Sequence, residues 1–382
     1  MEFLFWFSLL LVIYIYLGYP LVIKLLSANN KRVKKDDQHR PSVSILIAAF
    51  NEEKDIENTI RNKLALDYPK DKLEIIVVSD ESEDRTDQIV QDLAKEADIS
   101  IKLVRQVPRR GKTSGLNLIV PEATGEIIVF SDANSIYAED TLLKLVRNFA
   151  DSEIGYVTGK MVYANSDGSL VGDGCSSYMK YENWLREHET KLGSVVGVDG
   201  GVDAMRRSLY EQLNADQLPD FVQPLKVAEK GYRVVYEPEA LLKEEALDDS
   251  GREYNMRVRV TLRALWALHD MRQLLNPLKF GMFSFQMISH KLLRYLAFIP
   301  LIWVFFSNLF LLDAGAIYVL GFLGQLAFYF LAWKGKNCQD DKDAPVYYTL
   351  PYYFSLLNVA CVHATWRYLK GEKQVIWKPR VG

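Results

Sequence analysis

Cysteine is scarce: Cys175, Cys338 and Cys361 are too few and too scattered for a disulfide framework, and none pairs closely enough for a zinc site. Histidine is nearly as rare, and its five copies form neither an HExxH motif nor an evident cluster, so a histidine-built metal centre is not expected. Charge of one sign is missing too. A formal net charge of -3 gives no support for a basic nucleic-acid surface, and no nucleic-acid partner is expected. No glycine-rich phosphate loop is present. Gly111-Lys112-Thr113 has its end, but Gln106 stands where the leading glycine is required.

The apolar residues, 49% of the chain, are unevenly placed. They crowd the first two dozen positions and most of Leu292–Leu369, with a mixed, charged middle between. That shift divides the chain into a transmembrane segment 1–26, a soluble domain 27–270, an interfacial helix 271–291, transmembrane helices 292–369 and a tail 370–382. Phe3 to Ile23 carries no charge and is long enough to cross a hydrocarbon core of ~30 Å. A cleaved signal peptide would need a basic start, and Glu2 stands there, so an uncleaved anchor is expected. Lys24, Lys31, Arg32, Lys34, Lys35 and Arg40 come next, which keeps the soluble domain cytoplasmic. They also suit contact with anionic headgroups. Leu292–Leu312 and Ala316–Trp333 read as two spans, followed by a polar loop Lys334–Asp343. Val346–Leu369, with Pro351, Asn358 and His363, is either a fourth crossing, which is favoured, or a re-entrant or interfacial segment. Arg367, Lys370, Lys373, Lys378 and Arg380 pull the tail to the cytoplasmic side, against an even number of crossings from an outside start.

The middle alternates. Ser42–Ala48, Glu74–Val78, Ile101–Val104 and Glu126–Phe130 are short β-branched runs suited to strands buried on both faces of a parallel sheet. Glu52–Leu66 and Arg85–Ala97 between them read as helices, with Asn51 and Asp84 near their starts as caps. The fold class expected is therefore α/β, a doubly wound, Rossmann-like sheet that binds ligands beyond the carboxyl ends of its strands. Three strands deliver Asn51-Glu52, Asp80 and Asp132-Ala133-Asn134 to that rim. Each alone could be a turn or a cap. Asp132 and Asn134, spaced i, i+2 on extended chain, would point to one side and suit a hard divalent cation with the diphosphate it bridges. The basic run Arg109-Arg110-Gly111-Lys112 suits a nucleotide's phosphates. Asp220, between Pro219 and Phe221, is either a desolvated general base or the N-cap of a helix Phe221–Lys230.

With these residues in view, the chain resembles the inverting family 2 glycosyltransferases of GT-A fold, in particular the membrane-bound ones of bacterial exopolysaccharide synthesis. The resemblance runs through SILIAAFNEE, VVSDESEDRT, RRGKTSGLN, GEIIVFSDANS, YMKYENWLREHE, VDGGVDAMRRSLY and PDFVQPLKVAEKGYRVVYEPEA. It implies that Ala49, Glu52 and Asp80 hold the nucleobase and ribose, with Lys112 and Asn117 beside the donor. Asp132 matches the first acid of the family's Asp-x-Asp pair, Asn134 replaces the second, and Mg2+ or Mn2+ is the implied cofactor. Asp199, Gly200 and Arg206 with Arg207 resemble the acceptor block, and Asp220 falls where the family keeps its catalytic base. Processive members carry Gln-x-x-Arg-Trp. Here Arg259 matches the arginine, which would meet the diphosphate, while Met256 and Val260 replace the glutamine and tryptophan. The activity implied by the resemblance is transfer from a nucleotide-sugar, a UDP-sugar first, to a lipid-linked or polysaccharide acceptor at the cytoplasmic face of a bacterial plasma membrane. A processive synthase and a catalytically weak scaffold subunit are the alternatives.

Overall fold

The computed structural model describes residues 1–28, 31–163, 170–244, 250–338 and 345–374. The loop expected at Lys334–Asp343 lies outside them from 339 on, as do Lys378 and Arg380 of the tail, and the Cys175 side chain is not described. The chain divides into two compact units. One comprises Met1–Ala28, Asn165–Leu185 and Glu245–Lys373; the other Asn29–Ala164, Arg186–Glu244 and Gln374–Gly382.

The second unit is an α/β domain. Its strands are β1 (Val43–Ala49), β2 (Leu73–Ser79), β3 (Ser100–Arg105), β4 (Ile127–Asp132), β5 (Ile136–Tyr137), β6 (Ile154–Tyr163), β7 (Asp203–Arg206) and β8 (Arg233–Glu244). They form one sheet in the order β3-β2-β1-β4-β7-β6-β8-β5. The first four are parallel, β7 is antiparallel to both its neighbours, and β5 is antiparallel to β8. Every residue of β1 and β2 is buried, which is why they read as unbroken Val/Ile runs. β3 departs from that expectation. It is an edge strand, half exposed, and carries Lys102 and Arg105 along its length.

The helices Ile56–Leu64 and Thr86–Glu96 cover one face of this sheet, with Ile45, Ile47, Ile75 and Val77 beneath Ile56, Ile60 and Val90. Lys112–Ile119 covers the other, where Leu116 and Ile119 meet Leu46, Ile76 and Ile128. The first helix begins four residues later than its sequence pattern suggests. Asn51 takes a left-handed φ of 54°, and residues 53–55 form a turn that ends at Asp55, which holds the N-cap position. Asp84 does meet the next helix, its Oδ1 accepting from the Thr86 N–H at 2.9 Å.

The basic stretch after residue 30 is tied into this domain. Lys31 pairs with Glu153 at 3.0 Å, and Lys35 with buried Glu237 at 2.8 Å, a carboxylate that Arg147 also meets at 3.1 Å. These two lysines are therefore held by the domain's own acids, a role the sequence pattern did not distinguish from headgroup contact.

The first unit is helical. Glu2–Leu26 and Ala316–Asn337 are long and apolar enough to cross a membrane. Met282–Tyr295 and Phe298–Leu309 make a third candidate only if taken together, and they bend by 57° at their junction. The span expected at Leu292–Leu312 is thus interrupted near Leu296. The fourth crossing expected at Val346–Leu369 is not among the candidates. This helix carries too many polar groups, and it packs on Ser250–Asp270 through Ala360 and Ala364 against Val258 and Leu262. The Tyr353 hydroxyl donates to Glu253 at 2.8 Å and accepts from Arg257 at 2.9 Å, which satisfies polar atoms that lipid could not. Glu182, also buried, is met by His290 at 3.3 Å, Lys291 at 3.7 Å and Arg294.

Candidate active site

The carboxyl ends of β1, β2 and β4 meet at one rim of the α/β domain. Ala49 ends β1 fully buried, and its carbonyl accepts from the Asp80 N–H at 2.9 Å. The Glu52 N–H donates to Thr86 Oγ1 at 2.8 Å. Asp80 lies just past β2 with both carboxylate oxygens engaged by the basic loop. Oδ1 accepts from the Arg110 N–H and Oδ2 from the Gly111 N–H, each at 2.9 Å, and Gln106 donates a third bond. The Arg109 guanidinium approaches Asp80 to 3.4 Å and stacks on the Phe50 ring. Glu81, at a left-handed φ of 62°, accepts from the Arg109 N–H. An acid at the end of β2 thus shapes the loop of residues 106–111, a role its position in the sequence did not reveal.

Gly111, at φ 87°, opens the helix Lys112–Ile119 and places Lys112 in its first turn. The Lys112 ammonium reaches Asp132 Oδ1 at 2.7 Å and Asp220 Oδ1 at 3.5 Å. Burial opposes that charge, but the two carboxylates outweigh it and hold the ammonium above its ordinary pKa. Asp220 lies inside the first turn of the helix Pro219–Glu229, whose N-cap is Leu218, so it is not the cap. Behind it stands Gly200, at φ +90°, where a Cβ would fall 2.8 Å from Asp220 Oδ2. Only glycine fits that position.

Three residues sit together that sequence spacing could not join: Lys112, Asp132 and Asp220. Others expected at the site do different work. Asn117 clamps the segment before Asp220, accepting from the Tyr210 hydroxyl at 2.8 Å and exchanging bonds with the Leu213 backbone. Asp199 is buried in an ion pair with Arg186 and accepts from the Met161 N–H. Arg206 is not at the rim. Because β7 runs antiparallel to β4, Arg206 pairs with Ile127 at the opposite end of β4 from Asp132. Its guanidinium donates to the carbonyls of Ile154, Phe149 and Asp151. Arg259 lies in the helix Ser250–Asp270 of the other unit.

Asp132 and Asn134 do not share an extended strand. β4 ends at Asp132, and Asn134 stands in the turn after it. Among the described residues no group of three His, Cys, Asp or Glu could hold a metal alone. The Asp132 carboxylate is 42% exposed at the rim. The chain therefore offers one carboxylate at the rim, with the amide of Asn134 two residues further along the turn. A hard cation accepts such a set when diphosphate oxygens and water complete its shell.

Two buried ionisable groups escaped sequence reasoning. Asp203 Oδ2 accepts from the Gly200 N–H at 3.1 Å and the Tyr156 hydroxyl at 2.9 Å. Desolvation, aided by the nearby Asp220 charge, pushes its carboxyl up to about 7. Lys63 is fully buried in the helix Ile56–Leu64, and burial drives its ammonium well below the usual range. The available signal was a charge inside an apolar pattern: Lys63 falls on the stripe Ile56, Thr59, Ile60, and Asp203 between Val202 and Ala204.

Comparison with known proteins agrees with this architecture. The sequence model of "Glycosyl transferase family 2" matches residues 44–213. Beta-monoglucosyldiacylglycerol synthase of Trichormus variabilis is 35% identical over 173 residues, 45% of this chain and 37% of that protein. Poly-beta-1,6-N-acetyl-D-glucosamine synthase of Staphylococcus aureus is 25% identical over 287 residues, 74% of this chain and 67% of that protein. The chain thus spans well under half the length of the first relative. The mannosyltransferase PcManGT from Pyrobaculum calidifontis, solved with GDP-Man and Mn2+, superposes at a TM-score of 0.74 with 23% identity, over 97% of this chain and 99% of that one. The parallel β3-β2-β1-β4 half-sheet, its acid-bearing rim and the matched residues 44–213 together make this a chain that carries a family 2 glycosyltransferase domain of GT-A fold.

Proposed function

We propose that the protein is an inverting glycosyltransferase that moves one sugar from a nucleotide-sugar, a UDP-sugar first, to a lipid-linked acceptor at the cytoplasmic face of a bacterial plasma membrane. The observation that carries this is the Lys112 ammonium set between Asp132 and Asp220, a donor-side and an acceptor-side carboxylate on one rim. Asp220 takes the proton of the acceptor hydroxyl as that oxygen bonds to the anomeric carbon. The bond from that carbon to the diphosphate oxygen breaks on the opposite face, and its electrons leave with the nucleoside diphosphate. Lys112 supplies positive charge beside the forming diphosphate, and the loop that Asp80 shapes adds Arg109 and Arg110. Asp132, with the Asn134 amide, would hold Mg2+ or Mn2+, which when bound neutralises charge on the leaving group. Asp199 and Gly200 are assigned to the wall on the acceptor side.

The apolar helices Glu2–Leu26 and Ala316–Asn337 support membrane association, and the basic residues after the first support a cytoplasmic catalytic domain. A processive synthase is the second reading, favoured by 74% coverage of this chain in the match to poly-beta-1,6-N-acetyl-D-glucosamine synthase. Met256 and Val260, in place of the processive glutamine and tryptophan, weigh against it. Product length separates the two. Purified protein, labelled UDP-sugars and a bacterial membrane lipid extract should give a lipid with one added sugar. Long polymer from donor alone would establish the synthase, and no labelled product from any donor would contradict both.

A further inference from the structure

The rim turn that carries Asp132 and Asn134 is held from below by one helix. In Ile56–Leu64, Thr59, Asn62 and Lys63 share a face, spaced i, i+3 and i+4. The Thr59 hydroxyl donates to the Ala133 carbonyl at 2.6 Å. Asn62 takes both backbone groups of Tyr137, donating to its carbonyl at 2.9 Å and accepting from its N–H at 2.8 Å. The Lys63 ammonium donates to the Ser135 carbonyl at 2.6 Å and to Asn62 Oδ1 at 3.1 Å, and lies 3.6 Å from the centre of the Tyr137 ring. Three alternate carbonyls of the turn, those of residues 133, 135 and 137, are thus bound by three side chains on one helix face.

A fully buried lysine is rare, and this one is spent on a backbone carbonyl of the rim turn. The contacts also reach further than the turn. The Ser135 N–H donates back to the Asp132 carbonyl at 3.2 Å, closing the turn directly behind the rim carboxylate. The Tyr137 hydroxyl lies 3.0 Å from the Phe130 carbonyl and 2.8 Å from the Gly201 carbonyl. Gly201 adjoins Gly200, the residue that backs Asp220. One path of contacts therefore runs from Lys63 to the donor-side carboxylate and, through Tyr137, to the wall behind the acceptor-side base.

We propose that Lys63 and Thr59 are positioning residues that set the 132–137 turn for the metal–nucleotide complex, with Tyr137 carrying the same constraint to the Gly200–Gly201 wall. The inference rests on the assignment of Asp132 to the donor side made above. Both side chains are fully buried, and each acts on the turn through its backbone carbonyls.

The test is the dissociation constant of UDP and of GDP in Mn2+ and in EDTA, together with the melting temperature. It compares the full-length protein in detergent with Thr59→Val, Thr59→Ser, Lys63→Met and Asp132→Asn. Supporting groups behind a metal ligand are commonly worth about 10- to 100-fold in affinity. Thr59→Val, which keeps the shape and removes the hydroxyl, should weaken binding by that order in Mn2+ and little in EDTA. Thr59→Ser should restore it, and Lys63→Met should match Thr59→Val. Should Lys63→Met fail to fold, the Thr59 pair decides alone. Wild-type affinity in Thr59→Val, or an equal loss with and without Mn2+, would overturn the inference while a loss in Asp132→Asn left the donor site standing. Wild-type affinity in Asp132→Asn, or no binding of either nucleotide by the wild type, would overturn the donor-site assignment and the inference with it.

Discussion

Two glycines of the α/β domain share a positive φ and differ in what surrounds them. Gly200 has φ +90° and Gly231 φ +86°. An alanine at either position strains the backbone by about 1–2 kcal/mol, the cost of left-handed geometry for an L-residue. For a domain of this size that lowers the melting temperature by roughly 2–8 °C. The surroundings then separate them. A Cβ at Gly231 meets nothing within 4 Å, whereas one at Gly200 falls 2.8 Å from Asp220 Oδ2, where ordinary contact begins at 3.4 Å. The carboxylate must yield by about 0.6 Å, the difference between those two figures. Displacement of a reacting group by about 1 Å can cost on the order of 100-fold in rate. Gly200→Ala should therefore lose roughly 10- to 100-fold in turnover, and Gly231→Ala should keep wild-type turnover at a similar loss of melting temperature. Both quantities come from a thermal melt and a nucleoside-diphosphate release assay on matched preparations. Equal turnover in the two variants would refute the placement of Asp220 as the base that Gly200 backs.

Asp203 gives a pH signature. Its unfolded carboxyl loses its proton near pH 4, while the folded one keeps it up to about 7. Between those values the folded state binds more protons, so stability falls as pH rises through that window and then levels; the full span is on the order of 4 kcal/mol. Asp203→Asn keeps an oxygen for the Gly200 N–H and the Tyr156 hydroxyl, so its melting temperature should fall less between pH 5 and pH 8, and parallel curves would contradict the buried acid. Arg206→Ala removes three donations to backbone carbonyls at the far end of β4. It should cost about 2 kcal/mol or more of stability at unchanged turnover per folded molecule, and a selective loss of turnover would return Arg206 to the acceptor site.

The parallel half of the sheet was legible because burial on both faces leaves an unbroken apolar run, as in VSILIAA and LEIIVVS. Strand direction leaves no such trace. Nothing in VDAMRR says that β7 runs against β4, and that reversal carries Arg206 away from the rim while leaving Gly200 on it. The late start of Ile56–Leu64 has a similar origin, since the backbone at Asn51 turns left-handed where the local pattern is already helical. At the site, Asp132 was visible as a rim acid, Lys112 as part of a basic segment, and Asp220 as either a base or a helix cap. The supports were not, because Asn117 and Asp80 spend their polar atoms on chain segments far away in sequence. The polar side of Val346–Leu369 reads as a membrane segment with impurities until Glu253 and Arg257 are seen opposite Tyr353.

The most direct test is release of nucleoside diphosphate from a panel of UDP- and GDP-sugars by the wild type and Asp220→Asn, with membrane lipid extract as acceptor. Removing a general base costs about 100- to 10,000-fold, so one donor should turn over with the wild type and fall by that order in the variant. Nucleotide affinity should stay within a few fold. Turnover by Asp220→Asn at the wild-type rate would contradict the account at its centre.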